Sequence, residues 1–155
     1  MPTTAENVRE ELARLLDSDL PAQLTTESAR WTDGITLESL AKVYRAIPVV
    51  VPVFPSGAVD FRGIEALEHN VGGGRRYEFW NFQAEIYITG NANLAVAGRT
   101  WEEVMGLKVT RYHQAIIDLF QTRANIDLSG NGGVARCIEC RGRNSNISDI
   151  VPLPG

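Results

Sequence analysis

Apolar residues recur at the spacing of a helix in two segments of the first third of the chain. In the first segment, the positions that share one helix face are Val8, Leu12, Leu15 and Leu16. Thr3 and Glu6 precede them with the spacing of a capping box, in which each side chain satisfies a free backbone N–H of the first turn. The pattern predicts an amphipathic helix that ends near Asp17.

A second helix is predicted after the polar turn at residues 33–34. It begins near Thr36 and ends before Pro48, because proline lacks the N–H that a helix interior needs. Its inward positions are Leu37, Leu40, Ala41, Val43 and Tyr44. Residues 49–54 are mostly β-branched and end at a Pro-Ser-Gly turn, which predicts a short strand. Residues 64–70 predict a short helix that a run of glycines ends.

The second half of the chain changes to long runs of β-branched and aromatic residues. These predicted strands cover residues 77–89, 93–105, 108–122 and, more briefly, 134–141. Connections as short as residues 90–92 and 106–107 can join only antiparallel neighbours, so the runs predict a meander. One apolar face of such a sheet is left for the helices to cover. The expected fold class is therefore α+β, with helices first and strands last.

Length and composition fit one globular domain. A chain of 155 residues with 44% hydrophobic residues can bury a sufficient core without a metal or a disulfide. The expected core spans about residues 5–145, and residues 146–155 form a tail. The 15 Lys+Arg residues against 19 Asp+Glu give a net charge of -4, and the basic residues are scattered. Because phosphate binding needs a concentrated positive face, this argues against a nucleic-acid partner.

Neither a membrane segment nor a secretory leader is predicted. No apolar run reaches the length needed to cross a bilayer, and residues 1–20 lack the basic start and apolar centre of a signal peptide. The expectation is a cytoplasmic protein with no membrane partner.

The two cysteines favour free thiols over a zinc site. Cys137 and Cys140 point to opposite faces of the predicted last strand, since side chains alternate along a strand. The histidines that would have to complete a tetrahedral site, His69 and His113, are remote from them in sequence. We expect no metal and no cofactor.

Four stretches of the sequence resemble the nuclear transport factor 2-like superfamily, in particular its SnoaL-like branch of polyketide cyclase and ketosteroid isomerase relatives. Residues 36–44 resemble the family's second helix, and residues 61–67 (FRGIEAL) resemble its third. Residues 85–96 resemble its strand-glycine-strand motif, and residues 116–120 resemble the strand before its final hairpin. Over roughly residues 7–145, the resemblance implies a cone in which N-terminal helices pack on a strongly curved, mostly antiparallel sheet around a pocket.

Departures from that family bear on the chemistry. Steroid-isomerase relatives carry a general base on the strand after the second helix, but this chain has no carboxylate between Arg45 and Asp60. Its first helix also has no Tyr to donate a hydrogen bond to an enolate oxygen, so isomerase chemistry lacks its parts. Epoxide-hydrolase relatives use an Arg-x-Asp sequence, whereas here Arg99 is followed by Thr100 and Trp101.

The predicted meander gathers polar side chains on one sheet face. Arg99, Trp101 and Glu103 alternate along one predicted strand and therefore share a face. In one register of the following turn, Trp101 lies opposite His113, and Glu103 lies opposite Arg111. A register shifted by one residue moves His113 to the other face, and the sequence leaves both open.

The candidate catalytic set is His113, Arg99 and Glu139. His113 is mid-strand in this prediction, and histidine suits proton transfer at neutral pH. Arg99 offers a planar fork for a carbonyl or carboxylate oxygen, and Glu139 would orient either one. Ordinary roles stay open: a solvated or hydrogen-bonded histidine, and an exposed ion pair between Glu139 and Arg141.

Aromatic residues dominate the candidate ligand-binding set. Trp80, Phe82 and Ile86 share a strand face, where they either line an apolar cavity or pack in the core. The full set is Tyr44, Phe54, Trp80, Trp101, Glu103 and Asp118. Unless the strand has a bulge, the odd separation of Asp118 from His113 places the two on opposite faces, so they form no dyad.

Two function classes follow. One is a SnoaL-like pocket protein, including a cofactor-free enzyme that carries out cyclisation, isomerisation, dehydration or epoxide opening on a hydrophobic substrate. The other is a non-catalytic ligand-binding or homo-association module of the same fold. Apolar residues on both faces of the predicted sheet, with Phe79 on one and Trp80 on the other, predict a homodimer through the outer face.

Overall fold

The computed structural model describes residues 4–69, 76–90, 92–96, 98–122, 125–127 and 137–139. Its fold class is α+β, as the sequence predicts. The elements in chain order are α1 (Ala5–Arg14), a π-helical turn (Leu15–Asp19), α2 (Leu20–Ala29), β1 (Lys42–Tyr44), β2 (Ser56–His69), β3 (Arg76–Tyr87), a short 3₁₀ helix (Ala92–Leu94), α3 (Trp101–Thr122), β4 (Asn125–Asp127) and β5 (Cys137–Glu139). The prediction that helices precede strands is wrong, because α3 follows β1, β2 and β3.

The N-terminal helical segment begins one residue later and extends further than the pattern predicts. Thr4 caps it, not Thr3: the Thr4 hydroxyl accepts a hydrogen bond from the Asn7 N–H, and Asn7 Oδ1 accepts one from the Thr4 N–H at 2.9 Å. The π-helical turn joins α1 to α2 without a break in the apolar stripe. Leu20 and Leu24 continue that stripe and are fully buried.

Residues 30–41, which we call the strap, form neither a helix nor a strand, so the predicted second helix is wrong. Ile35 is buried, and Leu37 and Leu40 pack against the core. Contacts with α3 override the local preference of this stretch for a helix. The strap leads into β1, where Val43 is buried and its neighbour Lys42 is exposed, the alternation of a strand.

Residues 45–55 form a loop, which we call the valine loop, and the strand predicted at residues 49–54 is wrong. Pro48, Pro52 and Pro55 each lack the N–H that a sheet interior needs. The side chains that the strand would have buried are exposed instead, by 102% at Val49 and 73% at Val50.

β2 lies in the middle of a mixed three-stranded sheet of order β1-β2-β3. β1 pairs with it in parallel from Lys42 to Tyr44, and β3 pairs with it antiparallel over its whole length. β2 includes residues 64–69, where a helix is predicted; that prediction is wrong because these residues continue the ladder with β3, and residue 70 lies outside the described residues. β3 confirms the strand predicted at residues 77–89 as far as Tyr87.

Two bulges interrupt β2. Arg62 and Glu65 are each an extra residue opposite a single step of β3. Gly63, between them, has a φ of 107°, which residues with a side chain rarely adopt. β3 itself runs through both positions without an extra residue.

A single helix, α3, replaces most of the strands predicted at residues 93–105 and 108–122. A capping box starts it: the Glu103 carboxylate accepts a hydrogen bond from the Thr100 N–H at 2.7 Å, and the Thr100 hydroxyl accepts one from the Glu103 N–H at 3.4 Å. Its buried positions are Val104, Met105, Lys108, Arg111, Tyr112, Ala115 and Leu119. Lys108 and Arg111 are charged and interrupt the apolar stripe that would have indicated a helix. The β-branched residues outside that stripe give the local pattern of a strand.

The last predicted strand, residues 134–141, is confirmed for Cys137–Glu139, which pair antiparallel with β4. Cys140 and Arg141 lie outside the described residues, and so does the prediction that the two sulfurs diverge.

The core lies between the three helices and one face of the sheet. Its buried cluster includes leucines of α1 and α2, Val43 of β1, Val59 of β2, and Ala115 and Leu119 of α3. Among the stretches that resemble the nuclear transport factor 2-like family, residues 36–44, 61–67 and 116–120 belong to the strap and β1, to β2 and to α3. Within the described ranges, no helix is long and apolar enough to cross a membrane.

Candidate functional site

The proposed catalytic residues are spread along and beyond α3 rather than across two strands. Arg99 precedes the helix, where its N–H donates to the Val96 carbonyl at 2.9 Å. His113 lies in the interior of α3. Because a helix rises about 1.5 Å per residue, Trp101 and His113 are about 18 Å apart along the helix axis. Both registers that the sequence left open are wrong, including the one that pairs Trp101 with His113 across two strands.

Asp33 of the strap and Arg111 of α3 form the centre of a polar cluster. The Arg111 side chain is only 4% exposed, and it donates to both Asp33 carboxylate oxygens, to one of them at 3.0 Å. Arg99 reaches the same carboxylate at 3.6 Å, and the Trp31 ring lies 5.0 Å from the Arg111 guanidinium. The predicted pair of Glu103 with Arg111 is therefore wrong, and Arg99 shares a counter-ion instead of standing free for a ligand.

This cluster lowers the pKa of Asp33 to about 2. The hydrogen bonds from Arg111 are the largest cause, and the Ile35 N–H and the charges of Arg111 and Arg99 act in the same direction against desolvation. Asp33 is consequently ionised at all physiological pH values. It is a fixed counter-ion for two arginines and not a proton-transfer group.

A second anchor joins the strap to α3. Lys108, whose side chain is 8% exposed, binds both Glu38 carboxylate oxygens at 3.0 and 3.1 Å. The Tyr112 hydroxyl donates to the Glu38 backbone carbonyl at 2.6 Å. Burial raises the pKa of Tyr112, and the negative charge of Glu38 adds to the effect. These buried polar groups hold the strap in place, since each is used in a contact with it.

Asp118 and Glu103 also have local partners. Gln114 donates to Asp118 at 2.8 Å, and Arg30, directly after α2, lies 3.3 Å from the same carboxylate. Glu103 caps α3 through the Thr100 N–H. Both members of the predicted ligand-binding set therefore stabilise helix ends and helix pairs in this fold.

The contacts of the described residues do not assemble the predicted catalytic set. His113 has a buried Nε2 with no hydrogen-bond partner among these residues. Arg99 precedes α3, and its side chain is engaged with Asp33. Glu139 is in β5, where its backbone pairs with Asn125 of β4.

The predicted aromatic face is confirmed on β3, with an addition from β2. Trp80, Phe82 and Ile86 pack against the core from one face of the sheet. Phe61 stands beside them, with ring centroids 5.3 Å from Phe82 and 6.5 Å from Trp80. We name this group of three rings and Ile64, which pairs with Trp80, the ribbon face.

The other predicted aromatic residues lie elsewhere. Tyr44 neighbours Val43 on β1 and so points to the opposite face of the sheet from the core, where Lys42 Nζ sits 4.8 Å from its ring. Phe54 is in the valine loop, and Trp101 begins α3. The four aromatic residues of the predicted ligand-binding set therefore belong to four different segments, and their binding of a ligand stays a prediction.

The opposite face of β3 carries a polar row. Gln83 and Tyr87 both donate hydrogen bonds to the Glu85 carboxylate. Desolvation raises the pKa of Tyr87, and the bonded carboxylate raises it further. The row is half-buried and satisfied within itself, so residues 83–87 of β3 present polar groups on the side opposite the aromatic group.

The best-defined depressions on the described surface are open grooves. One, of about 380 Å³, is lined by Arg99, Glu103, Gly106, Leu107 and Thr110 on the outer side of α3. The other, also about 380 Å³, is lined by Ser18, Asp19, Ala22, Gln23, Leu119 and Thr122. Neither lies between the helices and the sheet. The described residues also contain no group of His, Cys, Asp and Glu that could hold a metal ion.

Exposed apolar side chains mark two surfaces. Ile64 on the ribbon face is 55% exposed, and Val49, Val50 and Val53 of the valine loop are 102%, 73% and 40% exposed. Three prolines within eight residues were the available signal for the loop, since a strand that dense in proline cannot be buried in a sheet. No comparable signal in the sequence marks the β2 part of the ribbon face, because residues 61–67 also suit a helix.

Comparisons with known proteins add no family to this picture. The chain matches no protein-family model, and searches of curated proteins and of solved structures return no match.

Proposed function

We propose that the protein is a homo-association module, whose role is to join copies of this chain and not to transform a small molecule. The observation that carries the proposal is the ribbon face, which continues the apolar face of the sheet past the helices that cover it.

Exposure rises steadily along that face of β2. Val59 is fully buried under the helices, Phe61 is half-buried, and Ile64 is 55% exposed. Trp80 and Phe82 of β3 lie beside the last two. A two-stranded ribbon with an only partly covered apolar face is marginal by itself in water, and a third layer or strand stabilises it. A second copy of the chain supplies that layer in our proposal.

The partners of the charged side chains also support a homo-association module. Arg99, Arg111, Lys108 and Asp118 each have a partner that fixes helix α3 or the strap. Binding energy for another molecule is therefore left mainly to apolar and aromatic surface, which is what subunit contacts use. The valine loop adds a second such surface, and its prolines limit the backbone entropy lost when it is covered.

Sedimentation equilibrium from low micromolar to several hundred micromolar tests the proposal. We expect a concentration-dependent increase in mass, which Ile64→Ser weakens at least tenfold, because burial of an isoleucine contributes roughly 1.5–3 kcal/mol and about 1.4 kcal/mol corresponds to tenfold. Val49→Ser tests the loop in the same way.

The control variant is Ala22→Ser on the exposed side of α2, which should leave the association constant unchanged. A strict monomer over the whole range, or an association that Ile64→Ser and Val49→Ser both leave intact, would contradict the proposal.

A small-molecule pocket protein of SnoaL-like type is our second proposal, with the helix-covered, strongly curved cone that the family resemblance implies. The observation in its favour is the same cluster of three rings, since a hydrophobic ligand also binds such a surface. Acid/base chemistry on that ligand would draw on His113, whose Nε2 is buried and unpaired among the described residues.

Thermal-shift screening against cyclisable polyketides, epoxides and β-hydroxy ketones distinguishes the two proposals. A ligand that raises the Tm of a monomer, and no longer does so in Trp80→Leu, favours the pocket protein. For an enzyme, His113→Ala should then lower turnover roughly 10² to 10⁴-fold with little change in Tm. Association with no ligand response favours the module.

A further inference from the structure

We propose that the protein binds a neutral sugar on the exposed face of the Trp31 ring, with the hydroxyl groups of the sugar reaching into the neighbouring groove along α3. This inference goes beyond the proposed self-association and does not depend on it. Trp31 and the groove belong to neither the ribbon face nor the valine loop.

The Trp31 ring is exposed and at the same time fixed in position. It is 52% exposed, more than any other aromatic side chain whose environment the structure describes. The buried Arg111 guanidinium lies 5.0 Å from the ring centroid, and the ring Nε1 donates a hydrogen bond to Glu27 at 3.3 Å. Arg111 is itself held by two hydrogen bonds to Asp33. A ring whose one face rests on a fixed guanidinium offers its other face for stacking, and it loses little entropy when a ligand covers it.

The groove of about 380 Å³ on α3 adjoins this ring. Its lining residues on the helix recur at the spacing of one helix face: Glu103, Gly106, Leu107 and Thr110. Arg111, one turn after Leu107, continues along the helix to Trp31. Arg99 also lines the groove, and it reaches the Asp33 carboxylate that Arg111 binds. The two arginines therefore connect the ring with the groove.

The charges of this region favour an uncharged ligand. Two arginines, Arg99 and Arg111, and two glutamates, Glu27 and Glu103, contact the ring or line the groove. Asp33 lies between the two arginines and binds both. A phosphate or carboxylate ligand therefore meets no excess of positive charge, which is the main source of affinity for an anion.

A sugar matches both the ring and the mixed polar groups beside it. The C–H groups on one face of a sugar ring pack on an aromatic face. Each sugar hydroxyl both donates and accepts hydrogen bonds, so it suits a site that contains donors and acceptors. The Arg99 guanidinium, which is 39% exposed, donates, the Glu103 carboxylate accepts, and the Thr110 hydroxyl does either. Gly106 leaves space between them, since an added Cβ would meet no atom within 4 Å.

Isothermal titration calorimetry with cellotriose, xylotriose, mannotriose and maltotriose, each up to about 10 mM, tests the inference. We expect at least one of these sugars to bind. Trp31→Ala should then lower the affinity about tenfold or more because the stacking face is lost, whereas Trp31→Tyr keeps an aromatic face and most of the affinity.

Two further variants separate loss of the site from loss of the fold. Gly106→Leu places a side chain in the groove and should weaken binding without lowering the Tm, since leucine favours a helix more than glycine does. Glu102→Ala is the matched control, because Glu102 is exposed on α3 and does not line the groove. Its affinity for the sugar should equal that of the unmodified protein.

Three results would overturn the inference: no heat of binding with any of the four sugars, a sugar affinity that Trp31→Ala leaves unchanged, or binding of AMP alone. The last would identify a site for a nucleobase instead. Sedimentation of the same variants without sugar keeps the proposed function separate. We expect Trp31→Ala to leave self-association unchanged, so failure of sugar binding leaves the homo-association module standing.

Discussion

Gly106 stands in the interior of α3 where a methyl group would meet no atom within 4 Å. A glycine in a helix interior costs about 1 kcal/mol relative to alanine, because the unfolded glycine has more conformations to lose. Gly106→Ala should therefore raise the free energy of unfolding by roughly 0.5–1 kcal/mol. A higher urea midpoint at an unchanged m-value would show it.

Gly34 provides the opposite case on the strap. Its φ of 77° lies in the left-handed region, which costs a residue with a side chain about 1–2 kcal/mol. Gly34→Ala should lower the urea midpoint under the same conditions. If the two glycines responded alike, the backbone conformations assigned to them would be in doubt.

The Asp33 carboxylate makes stability depend on acid. Its pKa is lowered from an ordinary value near 4 to about 2 in the folded protein, chiefly by hydrogen bonds from Arg111. The unfolded chain therefore binds a proton first as the pH falls, and the contribution of Asp33 to stability is complete above about pH 4 and is lost towards pH 2. Asp33→Asn should lower the urea midpoint most above pH 4, with the two proteins converging towards pH 2.

A double-mutant comparison isolates the pair. In an Arg111→Met background the carboxylate has lost its main hydrogen-bond donor, so Asp33→Asn should produce a much smaller pH-dependent difference. An equal difference in both backgrounds would assign the effect to another group.

At the scale of elements, the start of α3 is the most informative boundary. Thr100→Ala removes the hydroxyl that accepts from the Glu103 N–H and should cost about 1 kcal/mol of stability. Thr100→Ser keeps the hydroxyl and should restore most of it. Measured by urea denaturation, an equal loss in both variants would mean that the methyl group and not the cap matters.

The same boundary shows why the second half of the fold was predicted incorrectly. The sequence of Thr100 to Glu103 has the capping-box spacing, but the apolar and β-branched residues around it match a strand almost as well. The decisive helical positions, Lys108 and Arg111, are charged, and they are buried only because Glu38 and Asp33 meet them from 70 and 78 residues away. Local patterns do not contain that information. The first helix and β3 were predictable because a strict apolar period marked each.

Predicted contacts between candidate site residues were wrong wherever the predicted secondary structure was wrong. The Trp101 and His113 contact required two strands, and one helix separates the pair. The prediction that Trp80, Phe82 and Ile86 share a face is confirmed, because β3 is a strand and side chains alternate along a strand. Phe61 was missed since residues 61–67 resemble the start of a helix.

At the scale of the whole molecule, the strap connects the helical layer to the sheet. It leaves α2, fastens to α3 at Asp33 and Glu38, and delivers Val43 into the core through β1. The Leu40 side chain lies close over Gly57, where an added Cβ would come within 2.9 Å of it. The strap, the sheet and α3 are thus packed as one unit. The ribbon face and the valine loop are the exposed apolar surfaces of that unit.

The anchors of the strap have a consequence for how the chain is made. The partners of Asp33 and Glu38 follow 70 to 78 residues later, and chains are synthesised at about 5–20 residues per second. For several seconds, the leucines of α1 and α2 have neither Ala115 nor Leu119 to pack against. The partly synthesised chain therefore leaves these leucines without part of their core, and the commitment to the native fold waits for α3 to leave the ribosome.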